Sequence, residues 1–355
     1  MKKEVSCGAL VYRYHKGERQ FLIIKHVNGG HYGFPKGHVE NKETHKQTAV
    51  REIKEETNFN VFIIDKYYTK VTYSPKENVI KDVYYYIAKI IDGSLNKQDE
   101  EVSLAKWVTF SQALNHLTYD NDKKVLFNLN TKINRIEKDI DPKVMSYVET
   151  HIIPKYQLCD PAHHADHIYQ VTYDALKIAK DYVVNKTMLY VISTYHDIGL
   201  LNGRKTHHIT GGTYLKNDSF IQSYFTSSDI SVMVDAIYDH RASQKNEPRS
   251  IYGLIVSEAD RQLNANNIMY RTALYEYNHH KDLTIEEQVQ YCYEHMLEKY
   301  SENGYLTLRL KFRKNEKELA KLQKLIKDKN KILKVFQRLI LKIKKYDKIL
   351  LTKQS

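Results

Sequence analysis

The chain has 355 residues, 28% charged and 42% apolar, with a formal net charge of +12. That length holds two ordinary domains, and that balance excludes wholesale disorder. The positive charge is confined: residues 305–355 carry 17 Lys and Arg against 4 Asp and Glu, so residues 1–304 sum to −1.

Residues 4–12 and 20–26 read as β-strands around a Lys16-Gly17-Glu18 turn. After Gly29-Gly30 come a loop and a helix, then strands over 61–65, 67–73 and 82–91, the last carrying Tyr84, Tyr85 and Tyr86. Residues 101–110 make a final strand and 111–128 a helix opened by a serine cap. A charged stretch over 130–143 closes this first unit, with Pro142 as a break. From there to residue 300 the pattern is helical, with apolar residues three and four apart over 174–182, 187–195, 228–238 and 285–300. Leu319, Leu322, Ile326, Leu333, Phe336, Ile340 and Ile343 keep that spacing in the basic tail, with Lys329 interrupting the stripe. Such an amphipathic helix either packs its apolar side on the helical region or binds RNA or an acidic membrane surface. No run approaches the roughly 18 consecutive apolar residues of a membrane span, and residues 1–8 lack the apolar segment of a secretory signal. Cys7, Cys159 and Cys292 are odd in number and far apart, which fits a reducing, cytoplasmic setting.

Within the first unit, Glu52, Glu55 and Glu56 stand three and four residues apart and are neighbours on a helix surface. Crowded carboxylates repel unless a cation sits among them, and carboxylate oxygens suit Mg²⁺ or Mn²⁺. The pattern Gly37, Glu43, then Arg51-Glu52-Ile53 with Glu55-Glu56 resembles the Nudix box of hydrolases that cleave nucleoside diphosphates linked to a further group. Asn58 stands where that family has its last glycine, and Asn tolerates positive φ. The resemblance implies an α/β sandwich of mixed sheet and helices over residues 1–132. Glu52, Glu55 and Glu56 would hold metal, Arg51 and Glu43 would fix the loop on the helix, and Lys36 would neutralise phosphate charge. The flanks EVSCGALVYRY, GGHYGFPKGHVE, VTYSPKENVIKDVYYYIA and EEVSLAKWVTFSQALNHLTYDNDKKVL extend the likeness, from Glu4 to Leu126, to the asymmetric diadenosine tetraphosphate hydrolases. That branch implies a metal or proton-accepting role for Glu101, six residues before Trp107. It also implies phosphate and purine contacts for Lys81 and Tyr85, and hydrolysis of the tetraphosphate to ATP and AMP. The same fold and metal cluster also serve in removing 5′ caps or pyrophosphate from RNA, for which a basic tail would supply affinity.

The helical half sets out His163-His164-Ala165-Asp166-His167, then Tyr195-His196-Asp197-Ile198-Gly199, His207-His208, Asp239-His240 and Glu258-Ala259-Asp260-Arg261. Mixed imidazole and carboxylate donors admit Mn, Fe, Co, Ni or Zn. The series resembles the HD phosphohydrolase superfamily, which implies an all-α domain over 142–304 followed by the basic helix of 305–355. His167, His196, Asp197 and Asp260 would hold one ion, with Asp197 at the catalytic centre. His207 (or His208) and His240 would serve a second ion. The resemblance places His163, His164 and Asp166 in a supporting loop, makes Arg261 an ion-pair partner, and marks Gln170 as a departure where many relatives carry arginine. It implies hydrolysis of a phosphomonoester or phosphodiester in a nucleotide, or else a nucleotide sensor without turnover.

Overall fold

The computed structural model describes residues 2–160, 163–241 and 246–352. They pack as two compact units, Met1–Ser257 and Glu258–Ser355.

The first unit opens on a hairpin of β1 (Lys2–His15) and β2 (Glu18–His26). Lys16 and Gly17 join them at φ of 52° and 77°, a two-residue loop whose twist matches that of the strands and sets His15 opposite Glu18. Two strands too short to show any period in the sequence follow: β3 (Tyr32–Gly33) pairs with β2, and β4 (Lys36–His38) pairs with β1. After α1 (His45–Thr57) come β5 (Asn60–Lys76), β6 (Val79–Asp92) and β7 (Val102–Val108). β6 runs parallel to β1, from Lys2 beside Val79 to Val11 beside Ala88, and antiparallel to β5, which makes the sheet mixed. β7 pairs with β2.

Burial of apolar surface fixes α1 on this sheet: Ala49 and Ile53 pack among Cys7, Ala9, Val11, Leu22, Phe59 and Val61. A capping box of Thr44 and Gln47 starts the helix, satisfying N–H groups that have no partner inside it. Asn58 ends it at φ 62°, donating its N–H to Lys54 O while Lys54 Nζ reaches back to Asn58 Oδ1 at 2.9 Å.

Two expectations from the sequence are corrected in this unit. The strands over 61–65 and 67–73 are one strand, β5, bent at Lys66 (φ 72°), where the register slips between Ile63 and Tyr68; such a bulge re-aims a strand without ending it. The single helix over 111–128 is two, α2 (Phe110–His116), capped by Thr109 rather than a serine, and α3 (Asp120–Ile136). Thr118 makes the break: its N–H donates to Tyr32 O, and its hydroxyl accepts from Tyr32 N–H at 2.9 Å, tying the chain to β3.

Helices follow throughout. Pro142 opens α4 (Pro142–His151) behind an Asp141 cap, a position where its missing N–H costs nothing. Then come α5 (Ala165–Ile178), α6 (Lys186–Tyr195), α7 (His207–Lys216), α8 (Ser219–Tyr224), α9 (Ser227–Asp239) and α10 (Ile251–Asp260). A mixed sheet with helices, followed by a mostly helical region, is the expected fold class.

The second unit contains α11 (Ala265–His279), α12 (Ile285–Tyr300), α13 (Arg313–Lys327) and α14 (Lys329–Thr352). Leu322 and Ile326 of α13 and Ile332, Phe336, Ile340 and Ile343 of α14 are buried with Met269, Ala273, Cys292 and Met296. The apolar stripe of the tail therefore packs inside this unit, and the interruption expected at Lys329 is a change of helix at Asp328. Among the described residues no helix is long and apolar enough to cross a membrane.

Position 58 offers a direct check on this architecture. Asn58→Val forces a β-branched residue to positive φ and is expected to cost about 1–3 kcal/mol, whereas Asn58→Gly unfolds at the same urea concentration as the parent or higher. Equilibrium urea denaturation of both variants measures the difference.

Candidate functional site

The acid-lined site is built by α1 against β4. Glu56 is 2% exposed and accepts the Lys36 N–H at 2.9 Å. Burial pushes its carboxyl up to about 8, although the Lys36 charge and N–H pull it down; Glu52 and Glu101 push it further up. Burial also raises Glu52 against the opposing pull of Arg51. Glu52 fits there because residue 37 is glycine: a β-carbon at 37 would lie 2.0 Å from Oε2 of Glu52.

Arg51 organises this group. Its Nε donates to Glu43 Oε1 at 2.8 Å and its Nη2 to His38 O at 2.9 Å, which ties the loop to the helix. Its Nη1 also reaches Glu52 Oε1 at 2.8 Å and the half-exposed Glu55 Oε2 at 2.9 Å. The guanidinium holds the Glu43 carboxyl down at about 2. The three glutamates thus share a helix turn, but two of them point to Arg51. Among the described residues, the groups whose potential ligand atoms all lie within 4.8 Å of one another are both elsewhere. Glu101, exposed just ahead of β7, is near enough for its charge to raise both Glu52 and Glu56.

Basic and aromatic groups gather around Lys36 and Lys81, whose charges reach these acids. Lys81 Nζ lies 3.4 Å from His38 Nε2, and burial beside Lys36 lowers its pKa. His26 is pushed down to about 4 by burial and by the charges of Lys36, His31 and Lys81. His31 stacks on His26 at 4.4 Å and meets the exposed ring of Tyr119 at 5.4 Å. Sequence reasoning passed over His31 and Tyr119, though the Gly29-Gly30 turn before one and the Thr118 break before the other mark both. Tyr85 is corrected as a purine contact: it is 2% exposed, set edge-on to Phe34, with its hydroxyl donating to Asp122 at 3.2 Å. A buried ring offers a base no face.

The second site gathers around one carboxylate. Asp197, 4% exposed, follows α6 directly; His196 precedes it, His167 lies in the first turn of α5, His207 opens α7 and His240 follows α9. Nε2 of His167 and of His196 lie 3.5 and 3.3 Å from Asp197 Oδ2. Nε2 of His207 and of His240 each lie 3.5 Å from Oδ1, and 3.3 Å from each other. Three of the rings are oriented alike: Nδ1 of His196, His207 and His240 donates to the carbonyl three residues earlier, Ser193, Arg204 and Ile237, at 2.8, 2.7 and 2.6 Å. That bond fixes the ring's orientation and turns Nε2 toward Asp197. Burial alone would raise the Asp197 carboxyl, but the His196 charge and hydrogen bonds from His167, His196 and His240 hold it well below the usual range. Burial lowers the pKa of His207 against the opposing pull of the Arg204 carbonyl and Asp197. Gly199 allows this convergence, since a β-carbon there would lie 2.0 Å from His207 O.

Three other residues of the series have partners of their own. His163 bonds Asp160, His164 donates to Cys159 O, and Gln170 donates to Asp174 along α5. His208 is not in the group that His207 joins. Asp260 ends α10 in the second unit, where the neighbouring Arg261 donates to Glu258 at 3.1 Å, the ion pair expected of it. The donor sets fit their ions: two groups of three potential ligands, His167, His196, Asp197 and Asp197, His207, His240, share one carboxylate, while the first site offers oxygens alone.

Comparison with known proteins agrees. Residues 2–129 match the NUDIX domain and residues 165–265 the HD domain. The chain joins a Nudix domain to an HD domain. An 8-oxo-(d)GTP phosphatase of Mycolicibacterium smegmatis is 31% identical over 112 residues, 32% of this chain and 34% of that protein. The asymmetrical bis(5'-nucleosyl)-tetraphosphatase of Sus scrofa is 28% identical over 132 residues, 34% of this chain and 89% of that protein. A solved Ap4A hydrolase of C. elegans, in a binary complex, is 25% identical and covers 37% of this chain and 98% of its own, with a TM-score of 0.35. The match spans less than half the length of the M. smegmatis protein and of a Mycobacterium tuberculosis mutator protein.

The raised Glu56 carboxyl would make binding of a cation at the acid-lined site pH-dependent. Its folded value of about 8 exceeds the unfolded value of about 4.3, so the folded chain keeps the proton across that window. Its contribution to stability is complete below the unfolded pKa and is lost as pH rises to about 8. A divalent ion must displace the proton, so Mg²⁺ affinity is expected to rise between about pH 6 and pH 8.5. Glu56→Gln removes that slope. Calorimetric titrations in two buffers of different ionisation enthalpy would show the released proton, and a flat profile for the parent would refute this placement.

Proposed function

We propose that this chain is a metal-dependent phosphohydrolase with two centres, one for dinucleoside polyphosphates and one for a smaller nucleotide phosphate ester. The observation that carries the two-centre reading is Asp197, each of whose oxygens faces two imidazole nitrogens. The proposed domains are 1–132 and 142–304, with 305–355 as the basic helical tail.

In the first centre, Glu52, Glu55 and Glu56 would hold Mg²⁺ or Mn²⁺, ions that prefer oxygen ligands. Lys36 and Lys81 offset the charge of a polyphosphate chain, and His31 with Tyr119 offers an aromatic surface at its end. Glu101 stands beside the acids as a proton acceptor. The names of the Sus scrofa and Mus musculus relatives, asymmetrical bis(5'-nucleosyl)-tetraphosphatases, support a dinucleoside tetraphosphate substrate and an asymmetric split.

In the second centre, His167, His196 and Asp197 would hold one transition ion and Asp197, His207 and His240 another, with Asp260 added on the HD resemblance alone. Ions held there supply Lewis acidity to a phosphoryl oxygen and to an attacking water. The bonds to Ser193, Arg204 and Ile237 keep three imidazoles aimed inward without a change of rotamer.

A metal-by-substrate activity matrix tests both halves. With Mg²⁺, the parent is expected to convert diadenosine tetraphosphate to ATP and AMP, and Glu55→Gln to slow it by about 100-fold or more. Gly37→Ala, which drives a methyl into Glu52, is expected to do the same. Asp197→Ala leaves that reaction intact and removes the transition metal found by elemental analysis, together with phosphoesterase activity. An intact tetraphosphate with every metal, in parent and Glu55→Gln alike, sinks the substrate assignment; faster turnover of 5′-triphosphorylated RNA would redirect it.

A further inference from the structure

Helix α5 has two faces with different employment. Its first turn carries His167 at the Asp197 centre, and two and six positions further on Tyr169 and Tyr173 are buried against the Nudix sheet. Phe62 of β5 stacks on both rings, at 5.9 Å from Tyr169 and 6.3 Å from Tyr173, the latter within 5° of parallel. The Tyr173 hydroxyl enters a buried cluster: it donates to Glu137 Oε1 at 3.2 Å and lies 2.9 Å from the hydroxyl of Tyr12 on β1. Tyr12 donates to the same oxygen at 2.6 Å, and Tyr14 donates to Oε2 at 2.9 Å. Arg19 of β2 completes the set, 3.4 Å from Oε2. Beside it Lys89 of β6, 1% exposed, pairs with Glu149 of α4, which also accepts the Tyr14 N–H at 2.8 Å.

A buried carboxylate tolerates few arrangements, because each lost donor leaves a charge unmatched out of water. Glu137 therefore fixes the separation of Tyr12, Tyr14 and Tyr173, and with it the seat of α5 on the sheet. Tyr173 is six residues from His167, about 9 Å along a rigid helix, so a shift at one end is felt at the other.

We propose that the Nudix sheet is a working part of the HD centre: Tyr12, Glu137, Tyr173 and Phe62 are positioning residues that set His167 against Asp197 through α5. The proposal rests on the reading of His167 as a metal ligand. None of the four is among the residues of the acid-lined site, whose carboxylates lie on α1 and in the segment before β7.

The test uses the full chain loaded with Co²⁺, whose visible absorption reports ligand number and geometry. Tyr173→Phe keeps the ring and removes one hydroxyl; Phe62→Leu keeps the hydroxyl and removes the stack. Each is expected to weaken Co²⁺ binding about tenfold, as supporting partners of ligands do, and to shift the absorption bands, with far-UV circular dichroism and Mg²⁺ affinity unchanged. His167→Ala is the control. If it alters the spectrum while both other variants match the parent, the positioning role is overturned and the ligand assignment stands. If His167→Ala leaves the spectrum unaltered, the reading of the centre fails instead. Loss of helicity in both Tyr173→Phe and Phe62→Leu overturns the proposal too, since the cluster would then hold the fold and not the ligand.

Discussion

A carboxylate taken out of water must find charge or donors, and this requirement shapes the first unit at three places. Glu56 meets it by keeping its proton to about pH 8. Asp197 meets it with four imidazoles and stays ionised. Glu137 meets it with three tyrosine hydroxyls and Arg19. The same group thus serves as a proton reservoir, an anionic hub and a structural pin, according to what stands around it.

The contrast between the two centres follows from their donors. Around Asp197 the rings of His196, His207 and His240 each have a backbone carbonyl three residues earlier behind Nδ1. The geometry is set before any ion arrives. At the acid-lined site Arg51 draws Glu52 and Glu55 toward itself, so on the proposed reading an incoming ion would compete with a guanidinium and with the Glu56 proton. Pre-set imidazoles and contested carboxylates are two ways of tuning affinity for cations of different hardness.

Much of this was legible in the sequence, for reasons that can be named. The spacing of Glu52, Glu55 and Glu56 and the series His167, His196-Asp197, His207, His240 are local patterns, and helix α12 keeps the bounds its periodicity implies. Asn58 takes the left-handed turn its side chain allows. What escaped depends on residues distant in the chain. The break at Thr118 needs β3, a two-residue strand with no signature of its own. Burial of Tyr85 needs Phe34 and Asp122 on either side, and an alternating strand cannot say which face is covered. The Glu137 cluster draws on β1, β2 and α5, and a lone glutamate in a charged stretch gives no hint of it.

The strand β1 has a consequence for the making of this protein. It lies beside β6 along ten paired positions, and its Tyr12 must wait for Tyr173, 161 residues later. At a translation rate of about 5–20 residues per second, that interval lasts roughly 10–30 s. Its strand partners β2, β4 and β6 are complete by residue 92, but the cluster of Tyr12 with Glu137 stays open until α5 is made. Slower ribosomes lengthen that wait rather than relieve it.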